Sequence, residues 1–302
     1  MLLLLAGAPG LAPTGQAAET RFVRPEELRL VPFPKEAVLE HGGYSLGQTL
    51  IHDLLRDNHK KRMMMWGDII LQHPDNLADI PKDTIMLTWG YDARASFEDQ
   101  IVPFAKSGYE FFVCPGVSDW NRILPDFSAA VTNIRNFIRD GVKHGAIGMI
   151  NTDWEDDGEA LKAVKWHADA WAAECAWNAS TTAPEAFNRR VGAALFGETA
   201  GHFGQAVEWL AQAHRLPGMK DMFNARFGEK DFVPRANPAA VQATASNVLA
   251  VVRPALEHLQ ACQREATCNQ HLLDVFLFGA RVALGGEFGH ASARPGHRGR
   301  CR

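Results

Sequence analysis

Met63-Met64-Met65-Trp66-Gly67-Asp68 and Ile147-Gly148-Met149-Ile150-Asn151-Thr152-Asp153-Trp154-Glu155-Asp156 are two apolar runs that end on tryptophan and acid. A third run, Thr84-Ile85-Met86-Leu87-Thr88-Trp89, also ends on tryptophan. Parallel strands that deliver indoles and carboxylates to one rim are how a barrel builds a sugar pocket. The indole covers the apolar face of a pyranose, and the carboxylates take its hydroxyls or its glycosidic oxygen.

Working outward from these runs, the chain alternates strand and helix. The pattern predicts strands over Arg62–Ile70, Thr84–Trp89, Glu110–Pro115 and Ala146–Trp154. Helices are expected over Ser45–Lys61, with Leu46, Leu50, Leu54 and Leu55 on one face, and over Ala95–Ser107, Ser128–His144 and Ala160–Trp177. That spacing suits βα units on a parallel sheet. Glycine and proline fall where strands stop, at Trp66-Gly67-Asp68, Trp89-Gly90-Tyr91 and Cys114-Pro115-Gly116. Loops after such strand ends carry function in barrels. Beyond Asn178 only helical spacing remains, over Pro184–Leu195, Glu198–His214, Ala239–Gln263 and Asn269–Ala283. The expected fold class is therefore α/β, a partial (β/α)8 TIM barrel of about four βα units followed by a helical C-terminal region.

The expected organisation is a signal segment over 1–18, a short remnant of an N-terminal domain over 19–44 and the half barrel over 45–180. Helices follow over 181–284, and an unstructured tail over 285–302. Leu2–Leu5 and the Gly15-Gln16-Ala17 stretch suggest a secretory leader, hence a secreted or periplasmic protein. The leader is too short and too broken by Gly and Pro to span a bilayer, so no membrane role is expected. With 302 residues, 46% of them hydrophobic, the chain can bury one large core or two small ones. A net charge of −4 gives no basic footprint, which argues against nucleic acid. Five cysteines are too irregular for a disulfide framework, although Cys262 and Cys268 are close enough to pair. No metal-ligand spacing is present, and no cofactor is implied.

The strand-end motifs, in their order, resemble the second half of the catalytic barrel of family 20 glycoside hydrolases, the β-N-acetylhexosaminidases. Lys61 to Asp68 is similar to that family's fifth strand, Pro81 to Trp89 to its sixth, and Gly148 to Asp156 with the following helix to its eighth. Leu30-Val31-Pro32-Phe33-Pro34-Lys35 is similar to the opening of the small domain that precedes the barrel. The resemblance implies retaining, substrate-assisted removal of terminal N-acetylhexosamine, and glycans containing that sugar as partners. It implies that Trp66, Trp89 and Trp154 wall a sugar subsite and that Asp68 and Asp156 hold hydroxyls. At the seventh strand the family's tyrosine is replaced by Phe112-Val113-Cys114-Pro115-Gly116, with Asp119 or Trp120 as substitutes from the loop.

The family's catalytic Asp-Glu pair ends its fourth strand, and no Gly-x-Asp-Glu strand end occurs in this sequence. Glu98-Asp99 and Glu155-Asp156 have the reverse order. The catalytic residues are thus unassigned, and two readings follow: a glycosidase-like protein without its acid/base, or a non-catalytic sugar-binding half barrel. A third arrangement would use Asp68, Asp119 and Asp156 together as general acid and base. A half barrel would also expose sheet edges, so self-association is expected. Blander roles are available to the same residues. Trp66 and Trp154 can pack the core, Asp68 can cap a helix, and Asp156 with Glu159 can form a capping box. Trp166, Trp171 and Trp177 are expected to pack, and the helical histidines His52, His59, His144 and His167 to lie on the surface.

Overall fold

A computed structural model of the chain describes residues 44–120, 122–154, 161–178, 181–216 and 238–291. The proposed leader, the 19–43 segment, Asp156 and Cys301 lie outside them. The described residues pack as two compact units. The first comprises those up to Thr88 with Pro103–Phe111, and the second comprises Trp89–Val102 with those from Phe112 onward.

Helix α1 (Tyr44–His59) leads into β1 (Met64–Trp66). The strand is shorter than expected because the chain turns at Gly67 and Asp68 begins helix α2 (Asp68–Gln72). Glycine is required there: a Cβ would lie 2.5 Å from Cζ of Phe104. A 3-10 turn (Pro74–Asp79) precedes β2 (Ile85–Trp89), which pairs with β1 in parallel, Met65 opposite Met86. Arg62 donates to the carbonyl of Asp83 at 2.9 and 2.8 Å and ion-pairs with Glu110. Tyr109 donates its phenol proton toward the carbonyls of Leu77 and Ile80, at 2.7 and 2.6 Å. Leu54 departs from the expected apolar face of α1 and is exposed, whereas His52 is buried and meets Asp83 at 2.7 Å.

Helix α3 (Glu98–Ser107) connects β2 to β3 (Phe111–Cys114), and α4 (Phe127–Lys143) connects β3 to β4 (Gly148–Met149). β3 and β4 are parallel, with Val113 opposite Met149, and a further bridge joins Gly116 to Thr152. The strands follow chain order in the sheet, β1-β2-β3-β4. The fold class is thus α/β with a four-stranded parallel sheet and a helical C-terminal region. Phe111, Val113 and Cys114 are all buried, as expected of a parallel strand covered on both faces.

A 3-10 turn (Lys162–Lys165) and α5 (Trp166–Asn178) follow, then α6 (Pro184–Phe196), α7 (His202–Ala213), α8 (Pro238–Glu265) and α9 (Gln270–Ala291). Helix α9 runs past the point where an unstructured tail was expected to begin. The core of these helices is aromatic: Trp171, Phe187, Phe196, Phe203 and Phe276 are all buried. Glu198 caps α7 by accepting from the amides of His202 and Phe203 at 3.2 and 3.3 Å. Trp171 packs as expected, but Trp166 and Trp177 are 44% and 88% exposed and do not. Cys262 is buried and Cys268 exposed, both as free thiols, so the expected pairing is absent. Among the described residues no helix is long and apolar enough to cross a membrane.

His167 also departs from the surface role expected of it. It is wholly buried among the rings of Phe127, Phe187 and Phe203. Asn188 turns its amide nitrogen to Glu208 at 3.0 Å, so its oxygen faces Nε2 of His167 at 2.9 Å and Nε2 carries the proton. Burial pushes the pKa of this imidazole down to about 4. Burial likewise lowers His214 to about 4. Both histidines take up protons on unfolding between the depressed native value and the ordinary one of about 6.5, so stability is full above the latter and falls as pH drops. Urea midpoints are therefore expected to fall from pH 7 to pH 4. His167→Gln, itself less stable at pH 7, should show a shallower fall over that range.

Candidate functional site

The carboxyl ends of β2, β3 and β4 meet helix α4 through one set of polar side chains. Asn133, in the middle of α4, is wholly buried. Its oxygen accepts from the amide of Gly116 at 3.1 Å, and its nitrogen donates to the carbonyls of Gly90 at 2.8 Å and Asp92 at 2.9 Å. One turn on, Asn136 donates to the carbonyl of Arg94 at 2.7 Å. Asp140, one further turn on, accepts from the amide of Phe97 at 2.8 Å. Positions i, i+3 and i+7 share one helix face. A stripe of three polar residues on α4 thus holds four peptide groups of the 90–97 loop. Such a segment would otherwise bury unpaired peptide groups.

On this frame sits an aromatic cluster. Trp89 stacks on Tyr91 with centroids 5.0 Å apart and planes 25° from parallel. Tyr91 also meets Trp120, with centroids 4.9 Å apart and planes tilted by 51°. Trp154 donates its indole N–H to the Tyr91 hydroxyl at 2.6 Å. All four rings are half-buried. Gly116 makes room for them: a Cβ there would stand 2.8 Å from Tyr91, 3.2 Å from Trp120 and 3.0 Å from Thr152 Oγ1. Thr152 returns its hydroxyl proton to the carbonyl of Pro115 at 2.8 Å.

The loop from β3 to α4 reverses at Ser118, whose φ of 60° is left-handed and uncommon for a non-glycine residue. The reversal sends Asp119 into the protein, where it is wholly buried, and leaves Trp120 at the rim. Arg122 lies close enough to Asp119 and Asp126 for both carboxylates to offset part of its desolvation, which otherwise lowers the guanidinium pKa. It donates to the carbonyls of Ser118 and Trp120, both at 3.4 Å. Asp153, beside Trp154, is ion-paired with Lys165. Asn151 donates to Asp169 at 2.8 Å.

Of the residues singled out in the sequence, Trp89, Trp120 and Trp154 come together through Tyr91. Asp119 is adjacent but turned inward. Trp66 and Asp68 belong to the first unit. There Trp66 is half-buried at the end of β1. Asp68 is the first residue of α2, behind Gly67 as N-cap, so it contributes charge to the helix N-terminus rather than a side-chain cap. Tyr91, Gly116 and Asn133 escaped the motif reading. Tyr91 follows Trp89 at the two-residue spacing that puts extended side chains on one face. Asn133 was marked only by being a poor helix former among the apolar residues of α4.

Three of the four described cysteines are buried. Burial raises Cys114 strongly and pushes Cys175 and Cys262 up to about 12, so none is a ready nucleophile. Among the described residues no group of three or more His, Cys, Asp or Glu side chains is arranged to hold a metal ion. No protein-family model matches the chain, and no curated protein matches it.

Removal of Asn133 would strip two buried peptide groups and a part-buried third of their partners, each buried one worth about 1–3 kcal/mol. Asn133→Ala is expected to lower stability by about 3 kcal/mol or more in urea unfolding. Asn136→Ala, which loses one such bond, should lower it by about a third as much.

Proposed function

We propose that this chain is the sugar-holding half of a family 20-like glycoside hydrolase barrel, related to β-N-acetylhexosaminidases and without the Asp-Glu catalytic pair in these residues. The observation that carries the reading is the cluster of Trp89, Tyr91, Trp120 and Trp154 at the carboxyl ends of three successive parallel strands. Strands in sequential order, each followed by a helical connection, are what a segment of a (β/α)8 barrel provides, and barrels place ligands at that end. Half-buried indoles offer the apolar face a pyranose needs, and the phenol and nearby amides offer hydrogen bonds.

The reading is one of binding rather than turnover. A general acid needs a carboxyl kept protonated by an apolar site. Two carboxylates beside the cluster face cations, Asp153 with Lys165 and Asp119 near Arg122, and Asp169, whose pKa burial raises, is engaged by the amide of Asn151. The partner class is N-acetylhexosamine-containing glycan, met outside the cytoplasm if the leader functions as one. Trp66, Asp68 and Asp156 keep their proposed place as further sugar contacts on the strength of the resemblance alone.

Titration with the β-1,4 tetramer of N-acetylglucosamine is expected to change tryptophan fluorescence saturably, and Trp154→Ala should abolish the change. A chromogenic N-acetylglucosaminide should show no turnover above a buffer blank. Turnover that Trp154→Ala removes would overturn the non-catalytic reading. Among the described residues, the edge strands β1 and β4 lack the neighbours a closed barrel supplies. Sedimentation velocity is therefore expected to show concentration-dependent association, and a cooperative monomer at every concentration would count against the half barrel.

A further inference from the structure

We infer that Tyr91 makes this an open platform for the interior of a glycan chain rather than a pocket for a terminal sugar. The inference rests on the carbohydrate reading above and concerns which sugars that site takes. A saccharide held between two rings needs van der Waals contact of about 3.5–4.0 Å on each side, hence a slot of roughly 7–8 Å. Tyr91 stands 5.0 Å from Trp89 and 4.9 Å from Trp120, so neither gap is wide enough for a saccharide ring. No sugar can enter between these rings while Tyr91 stays.

Tyr91 is also fixed in place. Asn133 holds the carbonyls of the residues on either side of it, Gly90 and Asp92. The ring lies in the notch left by Gly116, and its hydroxyl takes the indole proton of Trp154 at 2.6 Å. The surface left for a ligand is the outer edge of the cluster. It runs along the ends of β2, β3 and β4, and two strand spacings make it about 10 Å long. That exceeds one pyranose ring, so successive sugars of one chain can contact Trp89, Trp120 and Trp154 in turn. A terminal monosaccharide would use only part of it.

The test compares N-acetylglucosamine with its β-1,4 tetramer by fluorescence titration or calorimetry on the full chain. The tetramer is expected to bind about tenfold more tightly or better. Tyr91→Ala opens the slot and should shrink that ratio several-fold. Tyr91→Phe keeps the ring in the notch and should preserve the ratio, although Trp154 loses its acceptor. Circular dichroism of each variant separates a lost fold from a changed preference. Equal affinity for monomer and tetramer would overturn the platform and leave the carbohydrate reading standing. An unchanged ratio in a folded Tyr91→Ala variant would show that Tyr91 does not set the preference. Binding of neither sugar would remove both readings together.

Discussion

One buried amide sets the geometry of the strand-end loops in the second unit. The Asn133 side chain is planar, and its three hydrogen bonds reach Gly90, Asp92 and Gly116. Two loops that follow different strands are thereby fixed to one rigid group on α4. A leucine of similar volume would fill the space but leave these three peptide groups unpaired. Asn136 and Asp140 extend the same logic along the helix, so the 90–97 loop takes its shape from α4 rather than from turns of its own. The polar stripe lowers the helix propensity of α4 and in return specifies one loop conformation.

The aromatic cluster is a consequence of that frame. Three tryptophans arrive from three separate strand ends, and Tyr91 is the ring that Trp89, Trp120 and Trp154 all meet. Such an assembly depends on backbone placement to a fraction of an ångström, because the close approach at Gly116 leaves no room for a methyl group. Stacking and edge contacts add about 0.5–1.5 kcal/mol per pair beyond burial. They complete the arrangement, but hydrogen bonds to the backbone determine where the rings stand.

The parallel strands were legible in the sequence because buried runs such as Ile85–Trp89 and Phe111–Cys114 carry little polar interruption. Their ends were less so. The expected strand over Arg62–Ile70 continued through Asp68 and Ile69, where apolar residues belong to the short helix α2 instead. An apolar run of that length does not distinguish strand from buried helix, and only Gly67 marked the change. The tryptophans of the rim were visible as strand-end residues, yet Tyr91 and Asn133 were not, since their importance lies in contacts across 29 to 63 positions of chain. His52 and His167 were misplaced for a similar reason. Helical periodicity alone does not show that Asn188 and Asp83, far along the chain, will satisfy an imidazole in the interior.

The two kinds of polar group in the second unit divide its chemistry. In the interior, burial keeps His167 neutral and the thiols of Cys175 and Cys262 protonated, and Asp119 lies near the half-buried Arg122. They bind the fold together and have no reach to a ligand. Those at the rim are a phenol, indole N–H groups and peptide groups, which accept and donate hydrogen bonds without exchanging protons near neutral pH. That composition is what the proposed carbohydrate reading draws on, since a neutral, hydroxyl-rich molecule with apolar ring faces needs such groups. Under the carbohydrate reading proposed above, the cluster would supply orientation and stacking, and the one ring that fills its centre would set the length of chain it takes.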